Sequence, residues 1–167
     1  MSTAMLLLIQ LSVIAYALVA GVFLAFSDFI MRSLAHTSGN GGVEAMQVIN
    51  REVFRWVFMT LFLGMAAVSI VVGGYAWVAL TSPASLMIVL AAIVYLVGCF
   101  AVTVVCNVPM NEALAGKELS SGAAQSYWLE TYLPRWTFWN TVRTFASTTS
   151  AVLLLFGLLW LTQSQSQ

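Results

Sequence analysis

SLMIVLAAIVYLVGCFAVTVVC, Ser85 to Cys106, is an apolar run without a single charged side chain. A helix rises 1.5 Å per residue, so crossing a hydrocarbon layer of about 30 Å takes about 20 apolar residues. The run therefore predicts a membrane-spanning helix. Working outward, three more stretches meet the same test, and the spans read about 4–26, 56–80, 85–106 and 137–161. Short punctuation separates the middle two: Thr81-Ser82-Pro83-Ala84 is a turn, with Pro83 suited to the first turn of the next helix.

The bulk numbers agree with lipid as the solvent. Of 167 residues 61% are hydrophobic and only 7% charged, with a mean hydropathy of +0.95; soluble domains carry about 25% charged residues. The predicted fold class is all-α, a transmembrane four-helix bundle forming one domain over residues 1–167, with short interfacial helices in its two polar loops. Met1 to Gln10 holds no Lys or Arg, and the apolar stretch runs on to Phe26, which favours a retained helix over a cleaved signal peptide. Net charge is zero, so there is no basic surface for nucleic acid. The expected partners are the bilayer and a small apolar aromatic or lipid-like ligand. Small residues such as Gly64, Ala67, Val71, Gly73 and Gly74 also leave room for a homo-oligomer or a larger assembly.

Every charged residue lies between Asp28 and Arg55 or between Glu112 and Arg143. An even number of spans puts these stretches at one end, and the positive-inside rule then predicts cytoplasmic loops, with both termini outside, in a membrane of the bacterial cytoplasmic type. Asn107-Val108-Pro109 is expected to end the third span, because proline lacks the N–H a helix interior needs, with a new helix able to start at once from Pro109. Pro134 is expected to open the last helix, after a separate helical piece over 123–133.

Chemistry gathers at the same end. Trp136, Trp139, Asn140 and Arg143 stand at i, i+3, i+4 and i+7, one stripe of a helix. Asn107 and Asn111 close the third span, and Asn50 and Arg51 lead into the second. In a compact bundle these groups can converge on one pocket, with Glu52, Glu112 and Glu130 as candidate counter-ions. The plainer alternatives are an interfacial tryptophan belt, and amides that only cap helix ends. One histidine, His36, and two cysteines at membrane depth, Cys99 and Cys106, do not make a di-iron, haem or zinc site. Neither a P-loop nor a dinucleotide fingerprint is present. No metal and no tightly bound cofactor is expected.

Phe26-Ser27-Asp28-Phe29-Ile30-Met31, Met46-Gln47-Val48-Ile49-Asn50-Arg51, Asn107-Val108-Pro109-Met110-Asn111 and the run Arg135 to Thr144 occur in register with the four spans. Together they resemble the anthrone-oxygenase-like family of small membrane proteins. Arg32 departs from the pattern, since many relatives carry proline there. The resemblance implies a four-helix membrane fold and, for the few members with an assigned activity, oxidation of an anthrone to a quinone by O2 as co-substrate. On that reading Arg143 and Arg51 stabilise an enolate, and Asn50, Asn107, Asn111 and Asn140 donate hydrogen bonds to its oxygen. Trp128, Trp136 and Trp139 would wall the planar substrate by stacking. The rival expectation is a non-catalytic protein that binds lipid or quinone, or an accessory subunit of a membrane complex.

Overall fold

The computed structural model describes residues 1–55, 57–119 and 122–163. Trp56, Ser120-Ser121 and residues 164–167 lie outside the described residues; they held the expected start of the second span, part of the polar turn before the last helix, and the end of the polar tail. Four helices are long and apolar enough to cross a membrane: α1 (Thr3–Ala35), α3 (Val57–Ala79), α4 (Pro83–Ala115) and α5 (Gly122–Gln163). Between the first two lies α2 (Gly41–Glu52). Among the described residues there is no strand. The protein is an all-α, integral membrane four-helix bundle.

Local chemistry sets the helix starts. Ser2 caps α1 by accepting the Met5 N–H. Pro83 occupies the first turn of α4, where its missing N–H costs nothing, and Ser85 Oγ donates back to Ala76 O, 2.6 Å away, tying the α3–α4 turn shut. In the membrane the four long helices form a closed ring in which α5 packs on α1 and α4, and α3 completes it against the same two. Side chains such as Ile9, Tyr16, Phe62, Ile88, Tyr95 and Leu154 fill the centre. Polar groups there find one another: Tyr16 Oη and Ser69 Oγ are 2.7 Å apart, and Tyr95 Oη donates to Phe62 O, as groups without water must. Outward, leucines, valines and phenylalanines face lipid.

A second core sits at the charged end, where Val43 and Met46 of α2 pack on Met31, Leu114, Trp128, Tyr132 and Trp136. α2 thus roofs the bundle. Gln47 Nε2 holds it down by donating to Leu114 O and Lys117 O, and Asn40 Nδ2 donates to Leu119 O.

Three expected boundaries are corrected. α1 does not stop at Phe26 but runs to Ala35, through Arg32. α4 does not end at Asn107, and the helical piece over 123–133 is not separate from α5. Only the first polar loop therefore holds a helix of its own. The physical reason is a π-turn at each place: Phe26–Ile30, Thr103–Asn107 and Trp128–Tyr132. Val108 N–H bonds Thr103 O and Leu133 N–H bonds Trp128 O, five residues back, immediately before Pro109 and Pro134. The widened turn takes up the proline ring, and the helix continues instead of breaking. At 33 and 42 residues, α4 and α5 outrun the hydrocarbon thickness, which about 20 residues span.

Candidate functional site

An apolar wall opens where the two cores meet. A cavity of about 310 Å³ lies there, lined by all five helices, at the small end of the roughly 300–1,000 Å³ of ligand pockets. Its walls are hydrocarbon: Phe23 and Phe26 of α1, Met46 and Ile49 of α2, Phe58 and Phe62 of α3, with Phe100, Val104 and Val108 of α4. The polar lining consists of Asn50, Thr103, Asn111, Trp136 and Arg143.

Arg143 is the charged member and is only 4% exposed. Its guanidinium donates to Asn140 Oδ1 at 2.7 Å and to Thr103 Oγ1 at 3.2 Å. The Phe23 ring lies 4.2 Å away and the Trp136 ring 5.1 Å, so two π-faces cradle the cation. Nε finds no partner among the described residues. Neither do Glu52, Glu112 or Glu130 supply a counter-ion: Glu52 pairs with Arg55 at the surface, and the other two are exposed.

Asn140 does not line the cavity; it stands behind Arg143, fully buried. Its Nδ2 donates to Phe23 O and Ser27 Oγ, both at 2.6 Å. With both amide hydrogens committed to α1, Oδ1 is left to hold the guanidinium. This arrangement orients Arg143 from a fixed point.

A second network lies on the other side. Asn111 Oδ1 accepts from Tyr132 Oη and from Trp136 Nε1, each at 2.8 Å, and Asn50 Nδ2 donates to Tyr132 Oη at 3.2 Å. Asn107 is fully buried and donates to Trp136 O at 3.3 Å, joining α4 to α5 without reaching the cavity.

Of the residues expected at the site, the cavity thus gathers Asn50, Asn111, Trp136 and Arg143, with Asn140 and Asn107 one layer behind. Three others stand apart. Arg51 is exposed, about 100° round the helix from Asn50. Trp139 is half-buried at the edge of the α5 stripe, set edge-on to Phe138. Trp128 lies two turns before Trp136, stacked on Tyr132 at 5.4 Å in the roof core. His36 is exposed and bonds Arg32 O. Sequence reasoning missed Thr103, Ser27 and Tyr132. Continuing the fourfold spacing back from Asn107 to Thr103, and from Asn140 through Trp136 to Tyr132, would have found two of them.

Among the described residues no three of His, Cys, Asp and Glu are grouped to hold a metal ion. The arrangement offers a desolvated cation and amide donors beside an apolar chamber, a combination able to stabilise negative charge on oxygen.

No curated protein and no solved structure matches the chain. The sequence profile described as anthrone oxygenase matches residues 50–153, from Asn50 at the cavity, through Asn107, Asn111, Asn140 and Arg143, into the last span. With most of the chain and most of the site inside that match, the protein belongs to the anthrone oxygenase family.

Proposed function

We propose that the protein is an O2-using oxidoreductase that acts on a small apolar aromatic at the membrane edge, an anthrone or a near relative, without a tightly bound metal or organic cofactor. The observation that carries this reading is Arg143, buried against an apolar cavity with neutral partners only. An anthrone has a carbonyl opposite a methylene, and loss of a methylene proton gives an enolate with its charge on oxygen. A desolvated guanidinium favours that anion over the neutral ketone. Aromatic walls from Phe23, Phe58, Phe62 and Trp136 hold the rings flat.

The enolate then passes one electron to O2, and the radical pair closes a carbon–oxygen bond to give a peroxide. Loss of water cleaves the O–O bond and takes the second methylene hydrogen, leaving a carbonyl. One O2 is consumed per anthrone; one oxygen enters the quinone and the other leaves as water. The lining contains no carboxylate or imidazole among the described residues; the acceptor proposed for the first proton is water reaching the cavity mouth at the membrane edge.

Oxygen uptake and quinone formation in proteoliposomes test the reading, with empty vesicles subtracting spontaneous oxidation. Arg143→Gln is expected to lower the rate by about 10²–10³, the usual loss for one oxyanion donor. Arg55→Gln, at an exposed pair with Glu52, should match the parent. Equal rates for the parent and Arg143→Gln would discard the enzymatic reading.

We also infer that the charged end faces the cytoplasm, since all six Lys and Arg residues lie there. In a Cys99→Ala, Cys106→Ala background, an impermeant maleimide should label Thr81→Cys, at the exposed α3–α4 turn, on intact cells and Ser38→Cys only after permeabilisation. The reverse pattern would invert the topology.

A further inference from the structure

Charge bookkeeping at Arg143 points beyond a transient enolate. A buried ion without a counter-ion costs several kcal/mol, and proteins normally bring up a carboxylate. Here the two ion pairs among the described residues, Arg32–Asp28 and Arg55–Glu52, are both at the surface. Everything holding Arg143 is neutral: a hydroxyl, an amide oxygen and two ring faces. Nε has no partner among the described residues, while the residue borders the cavity of about 310 Å³.

Beside Arg143, the donors left in the lining are amide hydrogens of Asn111 and Asn50, although Asn50 also keeps its Oδ1 as an acceptor. Asn111 Oδ1 is already occupied by two donors, so the amide end it has left is a donor. Thr103 Oγ1 donates to Cys99 O while accepting from Arg143. The complement to such a lining is one anionic acceptor on a hydrocarbon body. A phosphodiester headgroup also carries one charge, but it brings further oxygens and a polar glycerol that an apolar chamber leaves unsatisfied; a carboxylate brings its charge in the planar form that a guanidinium matches.

We propose that this cavity selects apolar monoanions over neutral molecules of the same shape, and that membrane-borne carboxylates, such as fatty-acid anions, compete there with the aromatic substrate. The inference rests on Arg143 belonging to the reacting pocket and extends that reading to a second ligand class. It also gives product release a cause. A quinone is neutral, so it loses the charge-assisted contact that held its anionic precursor.

The test needs neither O2 nor turnover. The full chain in phosphatidylcholine nanodiscs is titrated with anthracene-9-carboxylate and with 9-anthracenemethanol, the neutral partner of similar shape, with empty discs correcting for partition. The carboxylate should bind about tenfold or more tightly, consistent with a hydrogen bond to a charged group. Palmitate should displace it and hexadecanol should not; displacement by neither restricts the site to aromatic anions and overturns the fatty-acid part. Arg143→Gln should abolish the preference, as should Asn140→Asp, which sets a resident carboxylate against the guanidinium. The parent protein alone already decides: equal affinity for acid and alcohol overturns the proposal even where a variant does not fold. Lost preference with intact anthrone oxidation defeats this inference only. Preserved preference without oxidation defeats the enzymatic reading only.

Discussion

Tyr132 joins three helices through one oxygen. It is fully buried on α5, donates to Asn111 on α4 and accepts from Asn50 on α2. Tyr132→Phe keeps the ring and its stack between Trp128 and Trp136, so the change isolates the hydroxyl. Interhelical hydrogen bonds in membrane proteins contribute modestly, and a loss of about 1 kcal/mol is expected in detergent unfolding. Turnover should suffer more. Asn111 keeps only the Trp136 N–H to fix its amide at the cavity, and kcat/KM should fall about tenfold, equivalent to ~1.4 kcal/mol. Unchanged stability together with unchanged turnover would show the network to be incidental. At this scale spacing alone identified Asn140 and Arg143, because i and i+3 on one helix fix their mutual distance. Spacing could not reveal that Ser27 and Phe23 O, more than 100 residues earlier, anchor that amide. Arg51 looked equivalent to Asn50 for the same reason: a single turn of sequence does not say which side of α2 meets the bundle.

Helices α4 and α5 meet at Gly98. A Cβ built there would stand 2.7 Å from the Ala146 Cβ, closer than side chains tolerate, so the two backbones depend on glycine's lack of one. Gly98→Ala should therefore push the helices apart and cost about 1–3 kcal/mol, as overpacking does. Ala146 lies one turn beyond Arg143, and the shift should also loosen the Arg143–Thr103 contact and lower turnover. Gly64→Ala is the control: nothing lies within 4 Å of its added Cβ, and a gain of up to about 1 kcal/mol from helix propensity is expected. Equal stabilities for the two variants would mean that the close approach carries no weight. Hydropathy made the spans legible, since a run such as 85–106 admits little else in a bilayer. Their ends were not legible, because Pro109 and Pro134 read locally as breakers. Whether a proline breaks a helix depends on the turn before it, and the residues of Thr103–Asn107 and Trp128–Tyr132 carry no local signal that marks a π-turn.

The molecule as a whole has one charged end, a closed apolar ring below it and a chamber at the join. Where that chamber opens decides how a ligand arrives. Val22, Phe54, Leu63 and Val104 line it and are also 39%, 64%, 50% and 50% exposed. They come from α1, the α2–α3 connection, α3 and α4, so the mouth is framed by apolar side chains on the bundle's outer face. Above it α2 and the roof core, with Trp128 and Tyr132 fully packed, shut the axial route. A ligand dissolved in the bilayer meets this opening directly, whereas one in water must first partition. The concentration that matters is then the mole fraction in the membrane. With protein and total anthrone held constant, adding lipid to the proteoliposomes should lower the oxidation rate in proportion to the dilution, once substrate is below saturation. Restoring the substrate-to-lipid ratio should restore the rate. A rate that ignores added lipid would mean loading from water through the roof, and Phe54→Ala would then leave kcat/KM untouched; lateral loading requires that variant, at the frame of the mouth, to change it.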